Sequence, residues 1–181
     1  MANSQVLTCY VWLVDSDPPI WRRFQVDDQI SLADLHPILQ AVMGWEDSHR
    51  HRFQVRGDYY ATPDPTPLED TLDAGSKMLA DFSFLPNEKF AYTYDFGDGW
   101  LHQITVEMQQ PMTEPLTSPR CLAGERACPP EDSGGVWGYE DLLERFGDPD
   151  DPEYEELLDW LGGDFDSEKF DLQQINQRLL S

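Results

Sequence analysis

The stretch Tyr92 to Glu107, YTYDFGDGWLHQITVE, leaves this chain little choice but to fold back on itself. Alternating aromatics lead in (Phe90, Tyr92, Tyr94) and β-branched residues lead out (Ile104, Thr105, Val106). Between them Gly97, Asp98 and Gly99 tolerate the positive φ that a tight turn needs, which is the pattern of a β-hairpin. Burial suggests a register. Pairing Tyr94 with His102, Tyr92 with Ile104 and Phe90 with Val106 gathers the apolar residues on one face, whereas a slip by one residue would split them. That register predicts His102 at the rim of the face, near Asp95 and Asp98, with Trp100 at the tip. Glu107 falls on the opposite face.

Upstream, VLTCYVWLV (Val6 to Val14) is nearly continuous in apolar character, which predicts a central strand covered on both sides. IWRRFQV (Ile20 to Val26) reads as an antiparallel partner across a short Asp-Pro-Pro connection. Ser31 is an N-cap with Asp34 in a capping-box position, and Leu32, Leu35, Leu39, Val42 and Met43 form one stripe ended by Gly44. This predicts a helix over 32–43 covering one sheet face, with His36 on its flank. In the next stretch, WEDSHRHRFQV, His49 and His51 alternate with Arg50 and Arg52, so on a strand both imidazoles face one way. His49, His51 and His102 are therefore the candidate metal ligands, with Asp98 or Glu131 as an added carboxylate and zinc as the metal such a set would take. No motif calls for any other cofactor. Arg50, Arg52 and Arg56 form a basic cluster that either pairs with the acidic half or meets an anionic ligand.

ATPDPTP (Ala61 to Pro67) reads as a surface loop, with a short strand at Thr71 to Leu72 and a helical turn near Met78 to Phe82 after it. CLAGERACPPEDSGGVWGY (Cys121 to Tyr139) reads as a shaped loop, stiffened by Pro129 and Pro130 and turned at its glycines. We expect Pro130 to Trp137 to close over the hairpin tip with Glu131 or Asp132 pointing inward. Asp95, Asp98, Trp100, His102, Arg50, Glu131, Asp132 and Trp137 are thus the candidate binding residues. Helices are predicted over 139–146 and 152–161, then a last one capped by Ser167 and carrying Phe170, Leu172, Ile175 and Leu179. The acidic run 148–156 lacks the ligand spacing of a calcium loop and reads as a solvated helix start.

At 181 residues the chain can fill one hydrophobic core, so one α+β domain over 1–181 is expected, its acidic C-terminal helical part covering about 136–181. The net charge is -23, and it is unevenly spread. Residues 1–60 carry 5 basic and 8 acidic groups; the remaining residues carry 7 and 27. Such a field disfavours phosphate backbones and anionic membranes, so autonomous nucleic-acid binding and membrane association are not expected; the acidity reads either as solubility or a saline environment, or as a surface for a basic protein partner. With no Lys/Arg-led apolar start, no long apolar run and three cysteines that read as packed free thiols, a cytoplasmic location is expected.

Taken together in order, IWRRFQV, LADLHPILQAVMGW, SHRHRF, YDFGDGWLHQITVE, CLAGERACPPEDSGGVWGYEDLLE and DFDSEKFDLQQIN resemble the plasmid Ri open-reading-frame-three-like proteins, also described as passenger proteins of insertion elements. The resemblance implies an α+β fold with an antiparallel sheet, a link to mobile elements and no established biochemical activity. It also implies variation at the site, since some relatives carry Cys at the position of Ser133 and His-Leu-His at that of His49 to His51. No catalytic serine or tyrosine of a recombinase is identifiable. Two functions remain in view: a non-enzymatic protein- or ligand-binding adaptor domain, and a metal-binding domain or metal-dependent hydrolase built on a histidine and carboxylate cluster.

Overall fold

A computed structural model describes residues 4–66, 68–112 and 116–180. Pro67, in the proline-rich loop, and 113–115, in the later proline-punctuated segment, lie outside the described residues. Among the described residues eight strands form one sheet: β1 (Gln5–Leu13), β2 (Trp21–Asp27), β3 (His51–Val55), β4 (Asp58–Ala61), β5 (Thr71–Asp73), β6 (Glu88–Tyr94), β7 (Trp100–Pro111) and β8 (Arg120–Glu125). Their spatial order is β5-β4-β3-β6-β7-β1-β2-β8. Every neighbouring pair is antiparallel except β4 and β5. Five helices accompany the sheet: α1 (Leu32–Met43), α2 (Leu79–Phe82), α3 (Gly135–Phe146), α4 (Tyr154–Trp160) and α5 (Leu172–Arg178). The protein is α+β, as its sequence predicts.

The helix α1 has the predicted bounds because both ends are specified locally. The Ser31 hydroxyl accepts from the Asp34 N–H at 3.1 Å and the Asp34 carboxylate accepts from the Ser31 N–H at 2.9 Å, while Gly44 takes φ +119° to end the helix. Its Leu32, Leu35, Leu39, Val42 and Met43 are buried with Val11, Phe24, Phe53, Tyr92, Ile104 and Val106 of the sheet in one core. At roughly 1.5–3 kcal/mol for each large apolar side chain removed from water, this layer dominates the stability of the fold. Beneath the C-terminal end of α1 lies Arg22, 2% exposed, whose five N–H groups donate to the carbonyls of Trp21, Val42, Met43, Glu125 and Arg126. The guanidinium sits at the negative end of the helix dipole and ties α1, β2 and the end of β8 together.

Three expectations change here. β1 is central, but only one of its faces is buried. Leu7, Cys9, Val11 and Leu13 point inward, whereas Val6, Tyr10 and Trp12 are half-exposed on a sheet face that no helix covers among the described residues. The segment after Cys121 is not a loop throughout, because Arg120–Glu125 pairs with β2 as the edge strand β8. Gly124 permits this: a β-carbon there would lie 2.5 Å from the Phe170 ring and 2.7 Å from the Trp21 carbonyl. Finally, α3 starts at Gly135 rather than Tyr139, α4 spans Tyr154–Trp160, and the last helix is capped by Asp171 rather than Ser167, with Phe170 ahead of it.

Candidate functional site

The hairpin closes one pair nearer its tip than burial alone suggests. Tyr94 pairs with Trp100, Tyr92 with His102 and Phe90 with Ile104, a shift of two residues that keeps every side chain on its predicted face. The turn is the cause. Asp95 at φ 55° and Gly99 at φ 73° reverse the chain at once, and the Gly99 N–H donates to the Asp95 carbonyl at 2.6 Å. One carboxylate oxygen of Asp95, Oδ1, accepts from the Gly97 and Asp98 N–H groups at 2.9 and 3.4 Å. Its other oxygen, Oδ2, is left facing His49.

Three segments converge there. His49 Nε2 lies 3.0 Å from Asp132 Oδ1, 3.7 Å from Asp95 Oδ2 and 3.8 Å from Glu131 Oε2. Glu131 is fixed by its other oxygen, Oε1, which accepts from the Tyr94 hydroxyl at 2.9 Å and the Glu46 N–H at 2.8 Å. Burial first, and then that bond to Glu131, hold the Tyr94 phenol well above its ordinary range, so it stays a donor. Glu131 Oε2 and His49 Nε2 are buried and have no hydrogen-bond partner, an arrangement that native proteins seldom leave unexplained. Among the described residues, ligand atoms of His49, Asp95 and Asp132 all lie within 4.8 Å of one another.

The loop carrying Glu131 and Asp132 is latched to the hairpin. Asp98 Oδ2 accepts from the Gly134 N–H at 2.9 Å, and a β-carbon on Gly135 (φ +74°) would lie 2.5 Å from the Asp98 carbonyl oxygen. Only glycine lets the two backbones approach so closely.

Other candidates go elsewhere. His102 is not at a rim but fully buried. Its Nε2 accepts from Trp45 Nε1 at 3.0 Å and its Nδ1 faces the Tyr92 and Trp100 carbonyls at 3.2 and 3.1 Å, so neither nitrogen is available to a metal. Strand β6 separates its strand from that of His51. His51 leaves the carboxylates and stacks on His36, ring centroids 3.4 Å apart, with its own Nε2 buried and unpaired. His36 is no flank residue either: it is buried, bonded to the Tyr92 hydroxyl and to Asp47, each at 2.8 Å. Trp100 is sealed in the core against Trp45, Arg50 pairs with the Thr66 carbonyl and Asp64 rather than with Glu131, and Trp137 is 78% exposed. Tyr94 is the residue sequence reasoning missed. Its alternation with Tyr92 marks it only as core, and the role of its hydroxyl depends on a loop 37 residues away.

The three cysteines are free; Cys9 and Cys121 are buried, and burial pushes the Cys9 thiol up to about 12. Among the described residues no helix is long and apolar enough to cross a membrane.

Comparison with known proteins agrees with this architecture. The chain is 36% identical over 176 residues to the uncharacterised protein y4hQ of Sinorhizobium fredii, covering 96% of this chain and 90% of that protein. Its fold matches the crystal structure of MM3350, a protein of unknown function from Methanosarcina mazei, with a TM-score of 0.86 and 39% identity over 95% of this chain and 98% of that one. The family model for plasmid pRiA4b ORF-3-like proteins matches residues 5–174, and the chain belongs to that family.

Proposed function

We propose that this protein is a divalent-cation-binding domain in which His49, Asp95, Glu131 and Asp132 hold one first-row metal ion. One observation carries the reading: two buried ligand atoms that make no hydrogen bond, His49 Nε2 and Glu131 Oε2, face each other at 3.8 Å, with Asp132 Oδ1 and Asp95 Oδ2 at 3.0 and 3.7 Å from the imidazole. With metal–ligand bonds near 2.0–2.2 Å, ligand atoms around one ion sit roughly 3–3.5 Å apart; His49 Nε2 lies 3.0–3.8 Å from the three carboxylates, His49, Asp95 and Asp132 are mutually within 4.8 Å, and the Glu131 side chain would have to swing in to join them. An imidazole with carboxylates and no thiolate suits Zn²⁺, Mn²⁺ or Fe²⁺; the nitrogen ligand disfavours Mg²⁺ and Ca²⁺. Three carboxyl groups around one imidazole also accumulate negative charge that a dication neutralises. Tyr94 and the Glu46 backbone act as positioning groups, each fixing Glu131 through the oxygen that faces away from the ion.

The test is metal analysis of untagged protein, followed by calorimetric titration with Zn²⁺ and Mn²⁺. One ion per chain is expected, with His49→Ala and Glu131→Gln each weakening affinity at least tenfold. Metal at about 100 times its Kd should raise Tm by roughly 5–10 °C. Absence of binding by both ions, or affinities untouched in both variants, would overturn the reading.

A further inference from the structure

Among the described residues no element covers the sheet face opposite α1, and the composition of that face runs against the rest of the chain. Cross-strand register lines up Trp21, Trp12, Gln103, Ala91, Gln54 and Tyr59 as one row across six strands. The row spans roughly 24 Å at the usual strand spacing. It contains three half-exposed aromatics and two amides, and on β8 it continues into Glu125, which pairs with Trp21. In the four central strands, β3, β6, β7 and β1, the only acids are Glu88 and Glu107, and each is held by an arginine, Arg56 and Arg23 respectively. Cations are left over. Among the described residues neither Lys89 nor Arg52 has a carboxylate partner, and the Arg52 guanidinium lies over the rings of Tyr59 (4.4 Å) and Phe96 (5.5 Å). Small Ala91 floors a groove of about 340 Å³ whose walls include Gln54, Gln103, Lys89 and Arg56, and no Asp or Glu lines it in a chain that has 35.

We infer that this face binds single-stranded nucleic acid. Trp12 and Trp21, on the adjacent strands β1 and β2, offer stacking surfaces to unpaired bases, glutamine amides match base edges, and unneutralised cations meet the phosphates. A duplex keeps its bases stacked inside and cannot use the row. The net charge argues against binding through the average surface, but fields are screened within about 8 Å at physiological salt, so the central strands, whose two acids are each held by an arginine, answer to their own charge. The assignment uses none of the four proposed metal ligands.

Fluorescence anisotropy tests it on the full chain, with labelled oligo(U) and oligo(dT) of roughly 15 nucleotides, a duplex of the same length and a polyglutamate peptide. Both single strands should bind in about 150 mM salt, more tightly than the duplex by at least about tenfold, with affinity falling as salt rises further. The tighter of the two identifies RNA or DNA as the natural source. Lys89→Glu, at unchanged Tm, and Trp12→Ala, with a thermal transition still cooperative, should each weaken binding about tenfold. The inference fails if neither single strand binds at about 100 µM protein. It fails equally if duplex or polyglutamate binds as well, or if both variants bind like the parent.

Discussion

His102 has no room for a second proton. Its Nδ1 must carry hydrogen to face two carbonyls, and its Nε2 must be bare to accept from Trp45, so protonation would set one N–H against another. Burial pushes its pKa down to about 4; at His51 burial, and then the stacked His36, do the same. The unfolded chain, with histidines near 6.5, therefore binds protons between pH 6.5 and 4 that the folded chain refuses, and stability falls as pH drops through that window. For His102 alone the loss is roughly 3 kcal/mol by pH 4. Urea denaturation at a series of pH values should show it, and His102→Asn should be less stable at neutral pH yet show a correspondingly flatter profile. A parent profile flat from pH 7 to 4.5 would mean that the ring is not held neutral. The same residue explains why a histidine beside two aspartates in sequence is a weak guide to chemistry: Asp95 and Asp98 turn away from it, one toward His49 and one toward Gly134.

At the scale of elements, the candidate site depends on how closely α3 approaches the hairpin. Gly135 is where α3 meets the Asp98 carbonyl, and its φ of +74° together with a 2.5 Å approach leaves no place for a side chain. Gly135→Ala should lift the loop off the turn and carry Glu131 and Asp132 away from His49. Calorimetry should then show metal affinity reduced at least tenfold, while near-ultraviolet circular dichroism reports a core still packed. Unchanged affinity would show that the loop holds its carboxylates without the latch. The hairpin register makes a related point. A slip of two residues costs no burial because it preserves the faces, so hydrophobicity cannot decide it and turn chemistry must.

For the whole molecule the question is how far the acidic C-terminal part shares one core with the sheet. Tyr139, Leu142 and Ile175 are buried in the cluster that holds β1, β2 and α1, with Leu157, Leu161 and Phe170 packed against it; α4 itself buries no residue fully, and Trp160 is 49% exposed. The Cys121 N–H donates to the Asn176 side chain at 2.9 Å, which returns a bond to the Cys121 carbonyl at 3.0 Å, so α5 also caps the sheet edge at β8. We predict that a chain ending at residue 138 loses cooperative melting and exposes β8 and the α1 end of the core. A soluble fragment 1–138 with a sharp thermal transition would instead mark two independent units.

Local chemistry determined most of the architecture: the capping box and Gly44 bound α1, the β-rich apolar run VLTCYVWLV and the alternation in IWRRFQV and HRFQV placed the strands, and the aromatic run into Gly-Asp-Gly made the hairpin. These signals act over a few residues, so each can be read without knowing what packs against it. Edge strand β8 was illegible because RCLAGE has little alternation and becomes a strand only by pairing with β2. The site divides the same way. Asp95, Glu131, Asp132 and His49 stand out as candidate ligand types at turns and loop ends, but which of them meet was decided by the fold. Residues 49, 95 and 131 are joined by β6, by the latch at Asp98 and by the Tyr94 hydroxyl, all contacts across dozens of residues. The exchange of roles between His49 and His102 has the same origin. Which imidazole faces carboxylates and which is sealed in the core depends on the turn geometry and on where Trp45 packs, and neither is written in the residues beside them.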